Sequence, residues 1–479
     1  MNRYAVLTTA LVALALSGCA STFVPPSQVI PWIPPLPAAS DGKLSIGTPA
    51  RQWWRALGDP ALDALIAEAM QGNRELQATL AVVQSTRSIA EAVSREALPQ
   101  GRLDAQATAV QPAMAEVNPY RLDLPRPPSA RLLTFSQTLS WEIDLFGRSG
   151  TAAAIAERRM DIASADSHAA IALLQAEVVR HYTGLRMHQQ FQRLLSKESD
   201  ELIHRASLLR ARFDAGLSDS RETLAADSEL ARIASERLHS EAALQGHLAA
   251  LALLTGRSPD GRSAWRERLL RPSQLPAVPS DLEIVQPSDL LARRPDVARA
   301  DAQLRATLGE AVLAERAHLP RLSLNLSFGL NGRVGTLGQS SAIRHAAGPL
   351  LSWDWFDAGR AQARAAAARA GKQAALHAFE QSVLKALHDS EVALRQWVAA
   401  RGGLAEAQRA QSAAASAASL SLARAEAGLE PPSTSAESNG VALRATRAVV
   451  SAQADALIAF AQTQLALGAW VPEHDAGRR

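Results

Sequence analysis

From Leu322 to Leu330 the chain alternates without a fault: Leu322, Leu324, Leu326, Phe328 and Leu330 are apolar, while Ser323, Asn325, Ser327 and Gly329 between them are not. A period of two places one set on each face of a β-strand, and no helix can use it. Leu132 to Ile143 repeats the pattern, with Leu133, Phe135, Leu139, Trp141 and Ile143 set against Thr134, Ser136, Thr138, Ser140 and Glu142; only Gln137 breaks it. Weaker alternation predicts partner strands near Leu103–Val110 and Leu350–Trp355, so the strands come as two pairs. A Pro-rich stretch (Pro112 to Pro128) and a Gly-rich one (Gly329 to Gly338) are predicted to be the loops of these pairs. The glycines do not lead into a Lys-Ser/Thr helix start, so they read as a flexible loop tip and not as a phosphate cradle.

Elsewhere the period is helical. Asp59 is an N-cap with Pro60 at the first helical position, and Leu62, Leu65, Ile66 and Ala69 form an apolar stripe. This helix is predicted to run to about Leu98, with a counterpart at about 296–318. From Thr151 to Ala215 there is no proline and one glycine, Gly184. Those 65 residues would reach roughly 98 Å as one helix, wider than any compact domain of this size. Arg360 to Ala427 is proline-free too, and a helical return follows each run, over 216–256 and 428–468. In the second return Pro431, Pro432 and Gly440 predict an irregular tip, since proline costs about 3 kcal/mol inside a helix.

These elements are written twice. Trp141 and Trp353, Gly216 and Gly428, and Gly256 and Gly468 are each separated by the same interval, 353 − 141 = 212 residues. The span from Pro99 to Trp141 is 42 residues and that from Pro320 to Trp353 is 33, so the first strand pair has the longer hairpin by nine. A duplication without slippage predicts one architecture built from two copies. The expected organisation is a signal peptide (1–18), a Pro-rich linker (19–58), a first repeat (59–286), a second repeat (287–470) and a short tail (471–479).

Charge removes several classes of function. Lys and Arg number 50 against 47 Asp and Glu, a net charge of +3 with both signs interleaved, and no basic stripe marks a nucleic-acid partner. There is no His-Glu-x-x-His and no Gly-x-Ser-x-Gly, and the eleven histidines are scattered, so the chain reads as no enzyme, with no metal or cofactor. Abundant alanine with 4% aromatic residues suits closely packed long helices. At the start, Arg3 and the apolar stretch of twelve residues Ala5–Leu16 form an export signal too short to span a bilayer. The tetrad Leu16-Ser17-Gly18-Cys19 resembles the lipobox of bacterial lipoproteins, which makes Cys19 the acylated residue and points to the outer membrane. Cys19 is the only cysteine, so no internal disulfide forms.

Four strands cannot close a barrel, and an open edge in lipid leaves backbone groups unsatisfied. Closure must come from other chains; three copies give twelve strands. Here the chain resembles the outer-membrane efflux protein family, in its lipoprotein branch, over nearly everything from the lipobox to Trp470. The residues that carry the likeness are LSGC, Trp53-Trp54, Asp59-Pro60-Ala61-Leu62, the junction Trp141 to Arg148, the two Ala-Gly-Leu turns, and PSDLLARRPDVARADAQLRA from Pro287 to Ala306. Physically that last stretch reads as glue between the repeats, with Arg293, Arg294 and Asp296 offering charge partners near helix ends.

The resemblance implies a mostly α fold with a β-barrel part: a homotrimeric, twelve-stranded outer-membrane barrel, four strands per protomer, continued by a long α-helical periplasmic barrel. It implies a passive exit duct for small molecules such as drugs, with a periplasmic adaptor, an inner-membrane pump and outer-membrane lipid as partners. The Ala-Gly-Leu turns correspond to the closed periplasmic tip, where Arg212, Asp214, Asp219 and Arg221 are expected to form salt bridges with the second turn. There Arg424, Glu426 and Glu430 stand where the family has a different run. Two alternatives stay open: a protein or peptide export duct of a type I secretion system, and a pore-less structural lipoprotein built of helix alone.

Overall fold

The computed structural model describes residues 44–46, 52–258, 263–284, 287–333 and 335–469, apart from 114, 116–119, 121–124, 126 and 127. Cys19 and the expected signal peptide (1–18) lie outside the described residues. In chain order the elements are β1 (Leu44–Ile46), α1 (Pro60–Gly72), α2 (Arg74–Arg95), β2 (Gln100–Val110), β3 (Ala130–Ile143), α3 (Arg148–Asp214), α4 (Ser220–Leu254), α5 (Ala264–Leu270), β4 (Leu282–Ile284), α6 (Pro287–Arg293), α7 (Pro295–Arg316), β5 (Arg321–Arg333), β6 (Ile343–Ser352), α8 (Arg360–Glu426) and α9 (Pro432–Ala466). The helix-only alternative fails on the strands.

The duplication holds to the residue. Helices α3 and α8 have 67 residues each and α4 and α9 have 35 each, with every boundary displaced by 212. Ahead of the strands the displacement is 221, from Arg74 to Pro295 and from Arg95 to Arg316, and the difference of nine is the extra length of the first hairpin. Each long helix ends on a left-handed glycine, Gly216 (φ 68°) or Gly428 (φ 73°). Leu217 N donates to Arg212 O and Leu429 N to Arg424 O, both at 2.8 Å, which closes each helix with the same reversed turn.

Three expectations need correction. The helix predicted over 60–98 is broken at Asn73, whereas the one predicted over 296–318 is found unbroken as Pro295–Arg316 and begins directly after Arg294, the equivalent of Asn73 at 221. The break is a capping event: Asn73 Oδ1 accepts from Leu76 N (2.8 Å), and its Nδ2 donates to Leu254 O (3.0 Å) at the end of α4. Arg294 Nη1 donates to Ala466 O (3.0 Å) at the equivalent end of α9. The buried Arg294 thus ties this segment to a helix terminus of its own repeat, and the link from Pro287–Ala306 to the first repeat is Arg299 Nε, which donates to Asp166 at 2.8 Å. Second, α9 is continuous from Pro432 through Gly440, with Pro431 as its N-cap residue. Both prolines sit where no intrahelical N–H is needed, so the interior penalty does not apply. Third, the last strand is Ile343–Ser352 and not 350–355, and Gly329 and Gly332 belong to β5 rather than to a loop. A Cβ on Gly329 would collide with the Phe135 carbonyl, which explains the glycine there.

Two units divide the chain. Of the described residues, the first comprises those in 84–162 and 301–378, and the second those in 44–83, 163–300 and 379–469. In the first, β2-β3-β5-β6 make one antiparallel sheet. There Trp141 Nε1 donates to Ala97 O (3.0 Å) and Trp353 Nε1 to His318 O (2.9 Å), a tie between strand and preceding helix that the repeat duplicates. In the second, a core forms around Trp53, Trp54, Leu62, Leu65, Tyr182, Leu248, Trp397 and Phe460. Asp59 caps α1 as predicted, accepting from Ala61 N at 2.9 Å, and its other oxygen accepts from Tyr182 Oη at 2.6 Å. A short parallel bridge pairs β1 with β4, Leu44 opposite Leu282.

Candidate functional site

The register sorts the sheet by polarity. Phe135 pairs with Leu330, Leu139 with Leu326, Trp141 with Leu324 and Ile143 with Leu322, while Thr138 pairs with Ser327, Ser140 with Asn325 and Glu142 with Ser323. Cross-strand partners share a face, so the apolar residues of β3 and β5 form one continuous surface and the polar residues the other. Flanking strands extend both: Leu103 and Ala105 lie on the apolar side, and Arg102, Asp104 and Gln106 on the polar side. The apolar face is exposed in the single chain, with Leu326 at 41% and Phe328 at 54%. Gln137, the one fault in the alternation, pairs with Phe328, and His345 lies opposite on β6.

The two hairpin turns are closed locally and not by each other. Asp219 N-caps α4, accepting from Arg221 N (2.9 Å) and from Arg221 Nε (2.7 Å), and this guanidinium holds its carboxyl below the usual range. In the second turn Glu430 takes Arg424 Nε at 2.6 Å and Ser421 Oγ at 2.9 Å, which lowers its pKa in the same way. Arg212, Asp214 and Glu426 form no ion pair among the described residues, and none joins the two turns within one chain. Among the described residues of one protomer, then, the expected salt bridges between turns do not form: Asp219 is engaged as a cap with Arg221, and Glu430 with Arg424 and Ser421.

The ion pairs that do join the repeats lie deeper along the helices. The Glu198 side chain of α3 is 1% exposed, 3.4 Å from Arg444 and from Arg447 of α9 and 3.7 Å from Arg232 of α4. Arg447 also reaches Glu236 (2.6 Å), and Arg232 holds Glu229 (2.5 Å) and Glu236. Three carboxylates thus meet three guanidiniums, with Arg205–Glu437 (2.8 Å) beside them. Burying a carboxylate costs several kcal/mol, which only such a set of partners offsets. The sequence carries one hint of this cluster, since Arg232 and Arg444 are repeat equivalents; Glu198 has alanine at its own equivalent, Ala410, and gives no sign.

Three of the histidines read as scattered are brought together by α3 and α4. His181 Nδ1 stands 3.1 Å from His247 Nδ1, and His188 stacks on His247 with ring centroids 5.6 Å apart. Arg180 approaches His181 Nε2 at 2.8 Å and can only donate, so His181 carries its proton on Nδ1 and passes that hydrogen bond to His247. Burial lowers all three pKa values, His247 to about 4. A folded pKa below the unfolded value means stability present above about pH 6.5 and lost as pH falls toward 4. The thermal midpoint is expected to drop between pH 7 and 5, and to drop less in His247→Gln; parallel curves for the two proteins would show that the triad does not titrate on unfolding.

A sheet with one polar and one apolar face, carried with a duplicated pair of 67-residue helices, defines a channel-type outer-membrane protein. The chain belongs to the outer membrane efflux protein family, whose sequence model matches residues 65–257 and 286–469, once in each repeat. The fusaric acid resistance protein FusA of Burkholderia cepacia is 31% identical over 337 residues, 68% of this chain and 61% of that protein, so this match spans less than two thirds of the relative. The pyoverdine export outer membrane protein OpmQ of Pseudomonas putida is 28% identical over 409 residues, 81% of this chain and 82% of that one. Among solved structures, the outer-membrane channel OprN superposes with a TM-score of 0.80 at 26% identity, covering 93% of this chain and 98% of that one.

Proposed function

We propose that the protein is the outer-membrane exit duct of a tripartite efflux pump, a passive channel of three identical chains that releases small molecules supplied by a periplasmic adaptor and an inner-membrane pump. The two-faced sheet supports this reading best. Strands β2 and β6 are sheet edges, and hydrocarbon tolerates no open edge. Three copies joined β6 to β2 make twelve strands without an edge, apolar face to lipid and polar face to water. No helix among the described residues is long and apolar enough to cross a membrane, so the strands take that role in this reading. Helices α3 and α8 are each about 100 Å long, against about 30 Å of hydrocarbon, which suits a conduit through the periplasm.

Small molecules are favoured over proteins as cargo because FusA is named for fusaric acid resistance and OpmQ for pyoverdine export. A lipid on Cys19 would tether the N-terminus to the membrane at about 0.8 kcal/mol per buried CH₂. Passage through a duct makes and breaks no bond, so the reading includes neither catalysis nor a cofactor, and nucleic acid has no part in it. Purified protein in detergent is expected to have the mass of three chains and to conduct ions steadily in a planar bilayer. A monomer, or a trimer without conductance under any applied voltage, would overturn the duct.

A further inference from the structure

The charges on the polar face of the sheet do not cancel. Strand pairing puts Arg102, Asp104, Glu142, Arg321, Arg333 and Arg344 on that face: Arg333 lies opposite Leu132, and Arg344 lies opposite Gly329, whose other neighbour is Ser136. Four arginines against two carboxylates leave 4 − 2 = +2 in each chain. Both carboxylates are already taken, Asp104 by Arg102 at 2.8 Å and Glu142 by Arg148 at 3.4 Å. Among the described residues no carboxylate pairs with Arg333 or Arg344, and both are exposed. They sit at one end. Arg333 closes β5 and Arg344 is the second residue of β6, at the end of the sheet away from the attachments of α2, α3, α7 and α8. The connecting sequences at that end do not offset them: residues 111–129 hold Glu116 and Asp123 against Arg121 and Arg126, and residues 334–342 hold no charge.

We propose that Arg333 and Arg344 make the outer part of the pore selective for anions, so that the cargo it favours is organic anions, carboxylates above all. On the duct reading, on which this rests, the polar face meets water and the surplus is repeated threefold, six charges around one lumen. Closure of the barrel does not remove it, because β6 of one copy would meet β2 of the next, where Arg102 and Asp104 cancel. A low-dielectric wall lined with one sign of charge concentrates ions of the other sign and repels its own. Guanidiniums add paired N–H donors that match the two oxygens of a carboxylate.

The test is the reversal potential of the full protein in a planar bilayer under a KCl gradient. Wild type is expected to pass chloride about threefold over potassium near 0.1 M salt, and to lose most of that preference near 1 M, where the field of each guanidinium reaches about 3 Å instead of about 10 Å. Arg333→Gln combined with Arg344→Gln brings the face to 2 − 2 = 0 and should bring the ratio close to one. Glu at both positions should reverse it. Arg131→Gln is the control: Arg131 has the same charge at the same end of the sheet but lies opposite Ala109 on the apolar face, so its loss should leave the ratio unchanged. A wild type that prefers potassium, a ratio untouched by the double Gln variant, or an equal loss in Arg131→Gln overturns the proposal. Should the variants not assemble, the wild-type salt series decides, since a chloride preference that persists at 1 M does not come from exposed charges. A protein that never conducts loses the duct and this inference with it; one that conducts without the arginine-dependent preference loses only the inference.

Discussion

Leu326→Arg is expected to abolish insertion of the protein into outer membranes, while Ser327→Arg, one residue along, inserts normally. Leu326 lies near the middle of β5 between Leu139 and Ala347, on the face that carries Trp141, Leu324 and Phe328. An arginine on a lipid-facing strand position costs about 2–4 kcal/mol near the bilayer midplane. Threefold assembly repeats the cost in every copy, which is comparable to the whole stability of many domains. Ser327 pairs with Thr138 and Ala346 on the opposite face, where an added charge meets water. Membrane fractionation followed by single-channel recording reads both outcomes: Leu326→Arg in the unassembled fraction, Ser327→Arg assembled with altered conductance or ion selectivity. Equal assembly of the two variants would mean that the faces have been assigned to the wrong solvents.

Glu198→Ala is expected to destabilise the second unit by about 3–5 kcal/mol, the loss seen when one member of a buried ion cluster is removed. Its carboxylate is the one group that Arg232, Arg444 and Arg447 share, and without it three guanidiniums are left with two carboxylates, Glu229 and Glu236. Those arginines come from α4 and α9, the return helices of the two repeats, so the damage should centre on the seam between repeats. Hydrogen exchange in α9 would show it. The exposed neighbour Arg205–Glu437 is the control: Arg205→Ala should cost less than about 1 kcal/mol. A Glu198→Ala protein with an unchanged unfolding midpoint would remove the cluster from any account of how the helices are held together. Neither result depends on the turns, where Asp219 is held by Arg221 and Glu430 by Arg424.

Patterns with a short period are legible in the chain itself. Alternation at Leu322–Leu330 is a statement about faces, and the register needs only to place apolar beside apolar. The duplication is legible for a similar reason: anchors that need a left-handed residue, Gly216 and Gly428, or an indole at a strand end, Trp141 and Trp353, admit few substitutes. Proline misleads when its position in the helix is not known. Pro431 and Pro432 look like two interior penalties in the chain, but at an N-cap and a first helical turn they carry almost none. Asn73 misleads for a different reason, since a break made by a side chain that caps a distant helix has no local signature.

The charged residues of the two turns show the same limit. Arg212, Asp214, Asp219, Arg221, Arg424, Glu426 and Glu430 are visible as charges at turns, but the choice of partner is not, because a carboxylate at an N-cap is taken first by the nearest N–H and the nearest arginine. What the sequence by itself determined is therefore what local stereochemistry enforces: strand faces, helix lengths, the reversed turns and the two-copy plan. What only the tertiary structure decided is which distant side chains meet. Glu198 among three arginines, the three histidines between α3 and α4, and Arg294 bonded to Ala386, Asp389 and Ala466 all depend on residues tens to hundreds of positions apart. Packing of long helices sets that convergence, and no spacing along the chain records it.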